Sequence, residues 1–570
     1  LIEHTVKATN AMRCVEVAVT TAMAAVATAT RINMQRRLSE MRLLRLRVAA
    51  AQASNKNAPK KKSAANTVFI RDSPIDFIIC VIIFSVKGKQ IFIVYFQKRR
   101  PLLQNTPRAT VAPMTKNLTE GKPFSLIINF TVPVLLGYLF QQCYTIADTV
   151  IVGKCLGVQA LAAVGSTGAV SFLIIGFAMG ICSGFAIPVA QRFGANDFST
   201  MRRYIANIVY VTVVVALAMA VLTVLFCKPL LLAMQTPEDI VERATTYIKI
   251  IFAGIPLIFL YNMTAAIIRS LGDSKTPVFF LVLSSVLNIA LDLVFIIVCK
   301  WDVTGAALAT VISQGISGIA CLVFMMKKFG ILRTQGDERA FSLQHCATLC
   351  SVGIPMGLQY SITAIGSVIL QTSVNGLGSG AVAAVTAGGR VSMFFCSVYD
   401  ALGTTMATYG GQNTGAYKLD RLNAGVRDSM ILASAYSVVV FFAYLLFGQY
   451  LIMLFMNGAE AQIIHDAKLF LVLNASSYIL LAGVNIYRFM IQGMGFSVFA
   501  ILAGVMEMIA RTLMGIFIVP RFGMIAAGLA SPFAWVLADV FLVPAFYHCK
   551  RRLKKQIAHS EQKGYRNAQR

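Results

Sequence analysis

Charge is what this sequence has least of. Only 13% of its 570 residues are Asp, Glu, Lys or Arg, while 57% are apolar and the mean hydropathy is +0.71. A soluble chain of this length needs far more polar surface. Several nearly uncharged runs exceed eighteen residues, enough to cross a bilayer as a helix. Strands of about ten residues with alternating polarity are missing, which excludes a membrane barrel. Histidine is scarce, with five in the chain, so a dedicated metal site is not expected. No CxxC occurs, and the closest cysteines, Cys346 and Cys350, have only His345 nearby. The cysteines read as small apolar fillers. HExxH, GxGD and GxxxxGK[ST] are all absent, and the polar cluster below holds no nucleophile–base pair. Embedded proteolysis and ATP hydrolysis have no residues to carry them, so the chain reads as a non-enzyme without an organic cofactor.

What is present is an all-α polytopic membrane protein. Its net charge of +27 is uneven. Residues 1–113 hold 19 Lys+Arg and 5 Asp+Glu, and the other 457 hold 32 and 19. Such a balance raises nucleic acid as a partner. Basic loops that face the cytoplasm explain it better.

Residues 1–113 alternate Ala/Thr-rich and Arg/Lys-rich stretches such as MQRRLSEMRLLRLRVAAAQ. At Met114 the style changes to a short polar lead, MTKNLTEGKPF, before a long apolar run. Residues 1–113 are expected to be a non-native or disordered extension, with Met114 the natural start. The alternatives are a transit-type targeting segment or an extra membrane helix over 75–96.

Twelve apolar segments follow, near 124–150, 160–187, 204–228, 244–270, 277–299, 304–327, 346–374, 381–409, 426–456, 467–491, 497–519 and 523–547. The loops after the second, fourth, sixth and eighth carry most arginines and lysines, and the tail adds KRRLKK. Positive-inside logic places both termini in the cytoplasm. The chain also repeats itself. LGVQALAAVGSTG (156–168) returns as LGSGAVAAVTAGG (377–389), AQRFGAND (190–197) as GQNTGAYK (411–418), and RSLGDS (269–274) as QGMGFS (492–497). The offset stays between 221 and 223. A six-span bundle over 114–335 and a second over 336–549 are therefore expected to be parallel repeats, with a basic tail at 550–570. Transporters commonly place substrate between such repeats.

One stretch resists the lipid. In VLNIALDLVFIIV (286–298), Asn288 and Asp292 are four residues apart, on one face of a helix. An acid at the bilayer centre costs on the order of 3 kcal/mol. Interior hydrogen bonds in membranes average only about 0.6 kcal/mol, too little to offset it. Something else must hold Asp292 there.

Taken in order, several segments resemble the MATE (multidrug and toxic compound extrusion) family. They are VPVLLGYLFQQCYTIADTVIVGKCLG, AQRFGAND, AAIIRSLGDSKTP, SSVLNIALDLVFI, TGAALATVISQ and GIPMGLQYSITAIGSVILQTSVNGLG. The resemblance covers about residues 118–548. It implies two six-helix bundles forming a V and export of cationic, amphipathic drugs or metabolites in exchange for H+ or Na+. It also implies a cell-membrane location and a monomer. In the branch with a cation site in the first bundle, the matching residues are Asp148, Asn288, Asp292 and Thr310. Tyr144 and Asn262 match supporting polar positions, and Pro133 matches a proline where the first helix can bend. The acid found early in the seventh helix of another branch is missing from PMGLQYSITAIGS. Oxygen and amide ligands suit a proton or sodium, and two carboxylates in a dry bundle need a proton or cation to neutralise them.

Other buried charges read differently. Glu507 and Arg511, four apart, are expected to form an internal ion pair. Asp400 is a candidate for contact with substrate in a central cleft. Arg390 is ten residues from Asp400, too far to pair with it. Asp539 has no partner in the sequence. Lipid-linked sugar flippases and dedicated metabolite exporters of the same superfamily are the alternative. Flippase clefts are rich in arginine, and here Arg390 stands almost alone.

Overall fold

The computed structural model describes the backbone of residues 77–86, 89–98, 115–234, 236–454 and 460–568. The chain divides after Arg108 into two units. In the first, β1 (Phe77–Val86) pairs antiparallel with β2 (Lys89–Lys98), setting Phe77 opposite Lys98 and Val86 opposite Lys89. The extra membrane helix considered for 75–96 is thus a hairpin instead. Its Ile, Val, Phe and Tyr residues favour strands, and only two residues, one a glycine, separate the runs. The rest of 1–113 lies outside the described residues, and with it the expectation of a disordered extension.

In the second unit the described regular structure is helical. The first bundle comprises α1 (Pro123–Leu156), short α2 (Val158–Ser166), α3 (Gly168–Gly194), α4 (Phe198–Ala233), α5 (Glu238–Ala253), α6 (Ile255–Ser270), α7 (Lys275–Asp292) and α8 (Asp302–Lys328). The second comprises α9 (Leu343–Asn375), α10 (Ser379–Gly415), α11 (Leu419–Met453), α12 (Ala461–Ala475), α13 (Tyr478–Gly493), α14 (Ser497–Leu513) and α15 (Val519–Ala568). Pairs α5–α6 and α12–α13 are each long and apolar enough together for one span, bent by 46° and 50°. The first bend falls at Gly254, where a Cβ would strike Val311, and just before Pro256. The helical stretch Ser497–His559 is too long for one span. It breaks at Gly523 (φ 56°, ψ −134°), and α14 packs back on α15. With that break the described helices supply the twelve spans expected. The last one continues past Lys550, so the basic tail begins as helix.

The repeat is visible in the backbone. Positive φ occurs at Gly157 and Gly378, at Asn196 and Tyr417, at Gly272 and Gly495, and at Lys300 and Gly523. Each pair is separated by 221 or 223 residues. Left-handed backbone ends a helix at the same point in both halves. Both α7 and α14 also run into a π-helical turn, Leu293–Val298 and Met514–Ile518.

Large apolar side chains on α4, including Val214, Val221, Leu222 and Leu225, are exposed, which suits a lipid-facing span. Small residues pack the interior. Cβ atoms at Gly180 and Gly184 of α3 would collide with the backbone of Gly357 and Gly353 of α9, so these helices meet backbone to backbone. The pseudo-equivalent contact of α1 with α10 is polar. Thr131 and Thr405 share a hydrogen bond at 2.9 Å, as do Tyr138 and Thr404. At the end bearing the basic loops the bundles interlock. Gln191 of α3 donates to the Gly493 carbonyl (2.9 Å), and Gln412 of α10 donates to the Ser270 carbonyl (2.8 Å). Gln191 and Gln412 are repeat equivalents, and so are Gly493 and Ser270. Gln412 also accepts from the Leu118 N–H (2.8 Å), and Lys418 and Arg421 donate to carbonyls of residues 118–121. That end of the molecule is closed.

Candidate functional site

Three helices of the first bundle build one polar site. α1 packs on α7, and α8 packs on α7. α1 carries Tyr144 and Asp148 one turn apart, α7 carries Asn288 and Asp292, and α8 supplies Thr310. Asn288 donates to the Thr310 hydroxyl at 3.3 Å, and Thr310 in turn donates to the Ala306 carbonyl at 3.1 Å. Asn288 and Asp292 are buried, Asp292 completely, while Asp148 is half-buried. Asp148 and Asp292 act on each other, and no basic side chain acts on either. Oδ1 of Asp148, Oδ1 of Asn288 and both oxygens of Asp292 are buried without a hydrogen-bond partner.

A cavity of about 280 Å³ opens beside them. Tyr144, Asp148, Asn262, Asn288 and Thr310 line it, together with Ser284, Ser285 and Tyr247. Asp292 is not on that wall and sits behind it. The structure therefore brings together all four residues matched to the cation site and both supporting ones. Asn262 is less committed, since it also donates to the Ile258 carbonyl at 2.9 Å. Pro133 lies in α1, which runs as one helix from Pro123 to Leu156. The helix passes directly from Asp292 into its π turn, a device frequent at functional sites. Because the second half has the same turn without an acid, the turn belongs to the repeat first.

Asp400 is not part of this site. It is exposed on α10, with Tyr138 of α1, Tyr360 of α9 and Arg488 of α13 nearby, which places it between the bundles. Glu507 and Arg511 do pair, at 3.2 Å, and Arg488 donates to the other oxygen of Glu507.

Sequence reasoning missed Tyr247 and Arg488. Tyr247, on α5, is near both acids and lines the cavity. Its surroundings, TTYIKII, carry no distinguishing pattern. Arg488 lies 19 residues from Glu507, beyond any helical spacing rule.

Two acids, an amide and a hydroxyl around unsatisfied oxygens suit a proton or a hard cation. The sequence model of the MatE family matches residues 133–294 and 355–518, once in each half. The probable multidrug resistance protein YoeA of Bacillus subtilis (strain 168) is 29% identical over 364 residues, 63% of this chain and 78% of that protein. A FAD transporter of Shewanella oneidensis is 22% identical over 339 residues, 59% of this chain and 75% of that protein. Among solved structures, a MATE protein in a bent conformation aligns with a TM-score of 0.70 at 22% identity, covering 78% of this chain and 98% of that one. A MATE protein in a straight conformation aligns with a TM-score of 0.69 at 22% identity, covering 77% of this chain and 98% of that one. With the fold, the repeat and both matches in agreement, this multi-pass membrane chain belongs to the MatE family.

Proposed function

We propose that the chain is a secondary antiporter that exports cationic or amphipathic drugs or metabolites in exchange for H+ or Na+. The observation that supports this best is the apposition of Asp148 and Asp292, with no basic partner and with oxygens left unbonded. Two carboxylates in one dry site are held together only when a proton or cation neutralises them. Asn288 and Thr310 complete the oxygen shell. Loading and unloading the pair alters what the first bundle can bury, and that difference biases alternating access. Pro133 removes one backbone hydrogen bond from α1, the helix bearing Asp148 and half of the Thr131–Thr405 contact. It is the natural bend point.

Asp400, exposed between the bundles beside Tyr138 and Tyr360, is the carboxylate we assign to a cationic substrate. Aromatic faces beside an acid suit organic cations. The closed basic end is the cytoplasmic one, so the described state opens outward. The chain acts in the cell membrane, as a monomer, with both termini in the cytoplasm. Relatives named as multidrug resistance proteins support drug export. The relative named as a FAD transporter keeps a dedicated metabolite as the second reading.

The test is export of a fluorescent cationic dye from proteoliposomes under separately imposed proton and sodium gradients. Export driven by one gradient is expected in the unaltered chain, with loss in Asp148→Asn and Asp292→Asn. Undiminished export in both variants would remove the cation site from the mechanism.

A further inference from the structure

The two bundles are repeats, yet among the described residues the pair of acids facing each other lies in the first; in the second, Glu507 pairs with Arg488 and Arg511, and Asp400 and Asp539 stand singly without a salt bridge. The register between them is fixed over the relevant stretch. Gly272 and Gly495, and again Lys300 and Gly523, share positive φ at an offset of 223, so residues 272–300 align with 495–523 without a gap. Asn288 therefore corresponds to Arg511, and Asp292 to Gly515. On the first helix of each half, Pro133 aligns with Pro355 at 222 and Leu156–Gly157 with Leu377–Gly378 at 221, so Asp148 corresponds to Ile369 or its neighbour Leu370, both apolar. The packing agrees at the level of the helices: a Cβ at Gly515 would strike Ser373 at 2.6 Å and lie 3.8 Å from the Ile369 carbonyl, so this turn packs on α9 as the Asp292 turn packs on α1.

We infer that the second bundle carries its own cation: the Arg511 guanidinium, held by Glu507, occupies the place of the coupling ion and keeps that half permanently loaded. Where the first bundle has two acids and an amide, the second has Ile369 or Leu370, Gly515 and Arg511. Arg511 and Glu507 are both buried, and Nη2 of Arg511 donates to Oε2 of Glu507 at 3.2 Å. The remaining charge is balanced within the bundle. Arg488 donates to the same carboxylate and has Asp539 and Asp400 in electrostatic reach. In the first bundle no basic side chain plays this part. A tethered guanidinium cannot leave, so this position has no empty state and contributes no ion dependence. The antiport cycle would then draw on the first bundle alone, and this inference rests on the antiporter reading above.

The full chain in proteoliposomes tests it by chemical rescue. Arg511→Ala empties the position. Dye export and thermal stability are expected to fall, export on the order of tenfold, and millimolar guanidinium is expected to restore both. Arg511→Lys keeps a cation and should retain function. Arg511→Met fills the space without charge, so it should lose function and ignore guanidinium. An Arg511→Met chain equal to the unaltered one, or an Arg511→Ala chain indifferent to guanidinium, would overturn the proposal.

If these variants do not fold, the unaltered sequence at Arg511 still decides. All stabilisation by Na+ or by protons at the membrane site should vanish in Asp148→Asn/Asp292→Asn. A residual dependence would place a second, exchangeable site in the other half. Failure of gradient-driven export in the unaltered chain would instead count against antiport, leaving guanidinium rescue to judge Arg511 separately.

Discussion

Asn288 spends its amide on Thr310, while Asp292, one turn further along the same helix, has both carboxyl oxygens buried and unbonded. The amide is anchored and the acid is left open. A ligand that binds the folded chain raises its stability by an amount set by concentration over affinity, about 2.7 kcal/mol at a hundredfold excess over Kd. We expect the melting temperature of the detergent-solubilised chain to rise with the coupling ion, and Asp292→Asn to melt higher than the unaltered chain in ion-free buffer while ignoring the ion. An Asp292→Asn chain that still responds would place the ion elsewhere.

The paired glutamines tie the two bundles together at the basic end. Gln412→Met keeps the side-chain volume but removes both its donation to Ser270 and its acceptance from Leu118. Each hydrogen bond contributes about 0.5–1.5 kcal/mol. Two lost together should shift the balance toward the cytoplasm-open state by roughly tenfold. In a Thr131→Cys/Thr405→Cys background, where the two hydroxyls now meet at 2.9 Å, oxidant should form the cross-bundle disulfide more slowly after Gln412→Met. Unchanged cross-linking would show that the glutamine does not hold the gate.

The connection between bundles carries a pH-sensitive tie. Arg202, at the start of α4, grips Glu338 through two hydrogen bonds of 2.6 Å, which holds the carboxyl down to about 2. A folded value below the unfolded one means the contribution is complete above the unfolded value, near 4.3. It is lost as pH falls from there through about 2. Limited proteolysis of the 329–342 connection should therefore stay constant from neutral pH down to about 5. It should speed up at neutral pH in Glu338→Gln. Equal cleavage of variant and unaltered chain would dismiss the tie.

Much of this was legible beforehand, for identifiable reasons. Long uncharged runs fix the spans, and constant offsets between short motifs reveal the repeat before any contact is known. The i, i+4 spacing of Asn288 and Asp292 puts them on one face without further help. That Asp148 meets Asp292 follows from α1 packing on α7, and only likeness to a family pointed to it. Spacing rules stop at the ends of a helix. They find Glu507 with Arg511, and they lose Arg488, which reaches the same carboxylate from a neighbouring helix. The hairpin at 77–98 was ambiguous because a short apolar run fits either a strand or a buried helix until its partner is seen.

The two flanks where the bundles meet are unequal. Along α3 and α9, glycines bring main chain against main chain; along α1 and α10, hydroxyls bridge the seam. Parting the first flank would open a gap along tightly fitted backbones, whereas parting the second frees hydroxyls that water can take up. The bundles are thus joined like the leaves of a book, with the spine at α3 and α9 and the looser edge on the side where α1 carries Asp148.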